Sequence, residues 1–360
     1  MDRPERDPDV QRTDPEPVAT VSPDVVDRDV GSRPPGERVG GYQLVRLLGA
    51  GGMGEVYLAT DERLRRQVAV KVVRPGAFGA GRAVEARDRL LREAQAMARL
   101  VHPNVVVVHE AGLSGDDVFV AMEYVEGTTL RGWLAAAPRP WRDVVRMFVA
   151  AGRGLAAAHH AGLVHRDFKP DNVLVGDDGR VRVSDFGLAG PSGAGPSGGG
   201  AGDDDAGGGA DRGGSTEATA GPDRGGDISA APTLPGAALG TASTVVHDPL
   251  AAFSLAIAGT PRYMAPEQHA GRAVDARGDQ FAFCVALWEG ITGRPPFPAA
   301  TYAALRAQVE AGTPIDADGA RPMPSWLRAI LARGLSARRD ARFPTMDALQ
   351  IGRASCRERV

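Results

Sequence analysis

The stretch Val164–Asn172, reading VHRDFKPDN, restricts this chain more than any other part of it. It places a carboxylate, Asp167, two residues before an ammonium, Lys169, and five before an amide, Asn172. Thirteen residues past Asn172 comes Asp185-Phe186-Gly187. A base, a phosphate-facing cation and two oxygen ligands for a metal, carried on closely spaced loops, form a set suited to phosphoryl transfer. That reaction leaves the protein little covalent chemistry, so catalysis rests on positioning and charge neutralisation.

Lysine usage singles out the same chemistry. Lys and Arg together number 42, yet only two are lysines, Lys71 and Lys169. An ammonium is a compact point charge and a guanidinium a wide planar fork, so these two positions read as sites where arginine does not substitute. Lys71 lies in Gln67–Val73, a run whose β-branched residues predict a strand. A lysine in an apolar strand needs a partner, because burying an unpaired ammonium is costly. The candidate is Glu93, on a helix expected over Val84–Leu100 from the apolar stripe Leu90, Ala94, Met97 and Leu100. Upstream, Gly49-Ala50-Gly51-Gly52-Met53-Gly54 joins two alternating segments, Tyr42–Gly49 and Glu55–Ala59. Glycines admit close backbone approach to phosphates. In dinucleotide folds this motif opens a helix; here β-branched and aromatic residues follow it, which predicts a hairpin loop over a nucleotide.

Together these features resemble the eukaryotic-type serine/threonine protein kinase family of bacteria: Val-Ala-Val-Lys, His-Arg-Asp-x-Lys-x-x-Asn and Asp-Phe-Gly, in that order. The resemblance runs from about Tyr42 to Leu349. It implies an α+β bilobal kinase fold, with an antiparallel-sheet N-lobe (residues 41–123) carrying an αC helix and a mainly helical C-lobe (127–349). It implies ATP and Mg2+ as cofactors and serine/threonine hydroxyls of proteins as acceptors, with self-association for autophosphorylation in trans. The glycine loop from Gly49 to Gly54 (with Ala50, Gly51, Gly52 and Met53), Val56 and Ala69 would enclose the nucleotide, and Lys71 would hold its α/β-phosphates, braced by Glu93. Met122 falls at the gatekeeper position, and Glu123-Tyr124-Val125 at the hinge that meets adenine through Glu123 and Val125. Asp167 would orient the acceptor hydroxyl, Lys169 would neutralise the γ-phosphate, and Asn172 and Asp185 would bind magnesium. Lysine two residues after the aspartate is similar to serine/threonine rather than tyrosine kinases. His165 is expected to support the loop, and Arg166 to meet a phosphorylated activation segment, with Thr241, Ser243, Thr244 and Ser254 as candidates. Glu267, in Ala265-Pro266-Glu267, is expected to pair with Arg342, and Asp279 to hold the catalytic-loop backbone. Cys284 reads as core. An inactive kinase-like scaffold is disfavoured by the full set Lys71, Asp167, Asn172 and Asp185, and a small-molecule phosphotransferase by the Ala265-Pro266-Glu267 region.

Composition bounds the rest. A hydrophobic share of 43% suits a globular core, and a net charge of -3 gives no reason to expect nucleic acid or anionic membrane as partner. No apolar run approaches the ~20 residues of a membrane span. The segment 1–40 is Asp/Arg/Pro-rich and reads as a disordered tail without a signal-peptide core. Two cysteines far apart suit a reducing, cytoplasmic setting. Between Asp185 and Gly259 about seventy residues intervene, and 190–240 is Gly/Ala/Asp-rich, which predicts a disordered insert in the activation segment. Its random-coil span of roughly 40 Å lets both ends stay anchored. Residues 350–360 resemble a translated sequencing-adapter fragment, which predicts that the natural chain continues past about Leu349.

Overall fold

In the computed structural model, residues 33–51, 54–73, 83–186, 261–315 and 319–349 are described. The tail 1–32, Gly52, Met53, Gly187, the insert 190–240, the candidate phosphoacceptors Thr241, Ser243, Thr244 and Ser254, and segment 350–360 lie outside them.

The first lobe is a six-stranded antiparallel sheet of strands β1 (Arg38–Val39), β2 (Tyr42–Gly51), β3 (Gly54–Asp61), β4 (Arg66–Val73), β5 (Val108–Ser114) and β6 (Asp117–Glu123), in the order β1-β2-β3-β4-β6-β5. The tail ends earlier than residue 40. Val39 is fully buried and pairs with Tyr42, and the Arg33 backbone N–H donates to the Tyr57 hydroxyl at 2.8 Å. The cause is local: Val39 supplies an apolar side chain that the outer sheet face can bury. Register then sorts β4 by parity. Val68, Val70 and Val72 join Tyr42, Tyr57 and Phe119 on one face, whereas Ala69 packs on the other with helix α1 (Ala83–Ala98). Side chains alternate along a strand, so Lys71 shares the face of Ala69, opposite Val56 on β3 and Val120 on β6.

The second lobe is helical. Helices α2 (Leu130–Ala136) and α3 (Trp141–His160) follow a short strand β7 (Gly127–Thr129), which joins β8 (Val173–Gly176) and β9 (Val181–Val183) in a three-stranded sheet. Helices α4 (Pro266–His269), α5 (Ala276–Thr292), α6 (Tyr302–Ala311) and α7 (Ser325–Gly334) complete it. Nearly every residue of α5 is buried, as expected of a helix apolar on all sides at the centre of a domain. Its ends are fixed chemically: the Asp275 side chain accepts the Arg277 N–H, and Gly293 stops it at φ 74°. Cys284 sits on this helix with no exposure, and burial pushes its thiol up to about 12. Gly154 on α3 is required by packing, since a Cβ there would lie 2.3 Å from the Asn104 carbonyl. That close approach brings the segment after α1 against the helix that precedes the catalytic loop.

The expected Glu267–Arg342 pair is present as a two-bond fork, 2.8 and 2.9 Å, with no exposure of the arginine side chain. Arg342 also donates to the Ser336 and Arg277 carbonyls and lies over the Phe281 ring. Removing one member leaves the other charge buried, at a cost of ~3–5 kcal/mol. The exposed Arg306–Glu310 pair on α6 is a control from the same lobe. Urea unfolding is expected to show Glu267→Ala losing ~3–5 kcal/mol and Glu310→Ala at most ~1 kcal/mol. Equal losses at the two sites would show that burial does not set the value.

Candidate active site

The catalytic loop is built on one buried carboxylate. Asp279 of α5 is 1% exposed and accepts the backbone N–H groups of His165 and Arg166, each at 2.7 Å, while His159 at the end of α3 lies 2.8 Å from the same carboxylate. Arg166 has φ 67°, a left-handed conformation that costs a residue with a branched-off side chain roughly 1–3 kcal/mol. The Asp279 bonds to its own amide and to the one before it hold it there. His165 is fully buried, with Nε2 2.9 Å from the Ser184 carbonyl and its ring against Phe186 and Phe168. It therefore joins the Asp185 segment to the loop and supports it, as the sequence suggested. Phe168 packs on Phe283 of α5.

From this frame the candidate site residues come together through a set of direct contacts. Lys169 Nζ donates to Asp167 Oδ2 at 2.7 Å, and the Asn172 Nδ2 donates to the Asp167 carbonyl at 2.8 Å and to its Oδ2 at 3.3 Å. The Ser184 N–H and hydroxyl both donate to the Asn172 carbonyl, fixing the two loops relative to each other. Across the cleft, Lys71 Nζ lies 2.6 Å from Asp185 Oδ1. Burial pushes the Asp185 carboxyl up, but Lys71 beside it outweighs this and holds it below the ordinary aspartate value. Asp185 has φ 59°, the second left-handed residue of the cleft. Asn172 and Asp185 thus present hard oxygen donors from neighbouring turns, with the Asn172 Oδ1 left over once Nδ2 is spent on Asp167. Such a pair suits magnesium, which keeps several waters and takes only one or two protein ligands.

One expected contact is different. Lys71 does not pair with Glu93: its partner is Asp185, and Glu93 instead lies 3.4 Å from Arg89 and 3.5 Å from Arg166. Both groups are compensated, Lys71 by Asp185 and Glu93 by Arg89 and Arg166. Arg166, expected to meet a phosphate, meets a carboxylate. Gly49, Ala50, Gly51 and Gly54 continue the β2–β3 ladder into the hairpin, with Ala50 opposite Glu55, while Gly52 and Met53 at its tip lie outside the described residues. Met122 is buried beside Ala69 in the β4–β6 ladder, and the Glu123 N–H donates to the Val107 carbonyl. Val125 packs, partly buried, against the main core.

Three partnerships were not read from the sequence. Arg131 on α2 forks onto Asp171 at 2.7 and 2.8 Å and donates to the Tyr263 hydroxyl, which in turn donates to Glu289. Arg182 joins Glu123 of the hinge to Asp178. His159, at the end of α3, meets the Asp279 carboxylate. Asp171 lies inside VHRDFKPDN, but the partners come from far along the chain, and no local spacing announces them.

Comparison with known proteins agrees with this geometry. Residues 42–197 match the protein kinase domain family. The chain is 31% identical over 310 residues to the serine/threonine-protein kinase PknF of Mycobacterium tuberculosis, covering 84% of this chain and 53% of that protein. It is 32% identical over 327 residues to the serine/threonine-protein kinase PksC of Streptomyces coelicolor, covering 86% and 48%. The chain thus spans about half the length of these relatives. Among solved structures, the PknI kinase domain of Mycobacterium tuberculosis aligns with a TM-score of 0.57 at 26% identity, over 88% of this chain and 98% of that one. The chain belongs to the protein kinase family, in its bacterial serine/threonine branch.

Proposed function

We propose that this chain transfers the γ-phosphate of ATP to serine and threonine hydroxyls of proteins, a second copy of itself among them, in the cytoplasm. The observation that supports this is the convergence of Lys71, Asp167, Lys169, Asn172 and Asp185 on one cleft. When bound, MgATP supplies the phosphoryl group and the metal charge; Asn172 and Asp185 would hold the metal, and the Gly49–Gly54 hairpin, Val56, Ala69, Glu123 and Val125 would surround the nucleotide. Asp167 keeps Oδ2 for Lys169 and Asn172, which leaves Oδ1 to accept the proton of the substrate hydroxyl. Lys169, anchored on that same carboxylate, sits where charge on the transferred group would develop. Lys71 is already in the cleft and needs only to share Asp185 with the phosphates it would hold.

Asp167→Asn removes the proton acceptor and keeps the side chain's size. Autophosphorylation measured with labelled ATP is expected to fall by roughly 10²–10⁴-fold, with nucleotide affinity and thermal midpoint close to those of the parent. Retained labelling would exclude Asp167 as the base and would point to another acceptor in the cleft.

Glu93 supplies a second test through pH. Burial raises its carboxyl above the ordinary value of 4.5 even though Arg89 and Arg166 pull it down. A raised folded-state value means that the charged form is disfavoured by folding. The penalty is absent where glutamate is protonated in both states and grows as pH rises past 4.5. Glu93→Gln is therefore expected to raise the thermal midpoint at pH 7, with the gain vanishing in acid below pH 4.5. Activity should drop in the same variant if Glu93 braces Lys71 during turnover. A midpoint lowered at pH 7 would show that the two arginine contacts outweigh the burial penalty.

A further inference from the structure

A second cleft, of about 430 Å3, opens behind the hinge and includes none of Lys71, Asp167, Asn172 or Asp185 in its lining. Arginines line it from two elements, Arg66 at the start of β4 and Arg180 and Arg182 on the β8–β9 hairpin. Its apolar wall is Val101, Pro103, Val105 and Val107, and Tyr124 of the hinge closes one side. Two imidazoles, His102 and His109, complete the polar part.

The arginines are held in place yet keep donors to spare. Arg182 is 4% exposed and is braced by Glu123 at 3.0 Å and Asp178 at 2.8 Å. Arg66 and Arg180 each spend Nε on an aspartate, Asp61 at 3.3 Å and Asp178 at 2.7 Å, neither of which lines the cleft. The terminal nitrogens of both arginines have no acceptor among the described residues. Glu123, the one carboxylate in the lining, is neutralised by Arg182. His102 accepts the Asn104 N–H at Nδ1, which places its ring proton on Nε2 as a further donor. The donor set is therefore large, drawn from separate elements and short of acceptors.

We propose that this cleft binds a phosphate monoester carried on a small, partly apolar body, with Arg66 and Arg180 gripping the phosphate and the valine–proline wall taking the carrier. A carboxylate would satisfy one guanidinium fork; a phosphate has the acceptors to engage two. The volume exceeds that of the anion alone, so the carrier has room. The site adjoins the machinery: Arg182 lies three residues before Asp185, and Val183 between them exchanges backbone bonds with Asn104 and Val106. A ligand bridging β4 and the hairpin would tie the hinge to strand β9, which leads into Asp185. The proposal goes beyond transfer activity and does not require it.

The test is titration of the purified chain with inorganic phosphate, O-phospho-L-threonine and ribose 5-phosphate against chloride at equal ionic strength, followed by calorimetry and by NMR of the histidine rings. Groups facing His109 are Arg66, which lowers its pKa together with burial, and Glu123 and Asp61, which raise it. An added dianion is expected to move the His109 titration upward. Both readouts should be lost, with affinity weakened roughly tenfold or more, in Arg66→Ala/Arg180→Ala. These residues lie outside the nucleotide cleft, and each single variant guards against a folding defect in the double one. Tighter binding of O-phospho-L-threonine assigns the phosphate to a protein segment, and of ribose 5-phosphate to a free metabolite; either upholds the site. Esters that behave like chloride would overturn it. So would binding that persists in the double variant, because that binding belongs to the nucleotide cleft.

Discussion

The loop that carries Asp167 and Asn172 hangs from the Asp279 carboxylate. A loop that turns through a left-handed arginine does not hold that shape by its own preference, and solvent could satisfy its amides in many other conformations. Asp279 supplies two short acceptor bonds to consecutive amides from a helix that is itself buried on nearly all sides. The helix cannot shift without disturbing Phe281, Phe283 and Leu287 of the core, so the acceptor is fixed and the loop is fixed with it. Asp167 and Asn172 inherit their positions from that arrangement. The helix is anchored in turn by Arg342, which bonds the Arg277 carbonyl and pairs with Glu267. A chain of buried polar contacts thus runs from the last part of the described chain to the loop that carries Asp167.

How much of this could be read from residues alone depends on distance in sequence. Strand β4 and helix α1 were legible because strand and helix patterns are local signals; the expected Gln67–Val73 and Val84–Leu100 fall on Arg66–Val73 and Ala83–Ala98. The pairing of Glu267 with Arg342 was legible because the resemblance to a family carries long-range information that composition lacks. The start of the domain was misplaced at 41, since two residues, Arg38 and Val39, are too few to show alternation; only the sheet edge beside them makes them a strand. The Arg131–Asp171 fork and the Arg182–Glu123 contact were illegible for a plainer reason. Arginine is abundant here, and any of its copies could have met any carboxylate.

The Lys71 partner was misread for a physical cause. Sequence reasoning asks which carboxylate a buried ammonium requires, and two candidates, Glu93 and Asp185, stand in the expected site. Asp185 is next to Lys71, while Arg89 on the same helix turn and Arg166 from the loop compete for Glu93. Arg166 therefore sits between two duties, one toward the helix and one toward whatever anion approaches the loop. Each pairing satisfies the charges, so the balance between them is small compared with the cost of leaving any member unpaired. A residue set of this kind has more than one acceptable arrangement by construction, and a rule that assigns one partner per charge will choose between them at random.

The distribution of lysine and arginine follows the same logic. Both lysines make one short contact to one carboxylate oxygen, Lys71 to Asp185 Oδ1 and Lys169 to Asp167 Oδ2. In each case the carboxylate's other oxygen is left for another partner. The buried or bridging arginines do the opposite: Arg342 and Arg131 each occupy both oxygens of their aspartate or glutamate. In the proposed reaction, a fork at Asp167 would close off the oxygen offered to a hydroxyl, and a fork at Asp185 the oxygen offered to a metal. In a chain that uses arginine for nearly every other positive charge, a single-point cation marks the places where a carboxylate must remain half free.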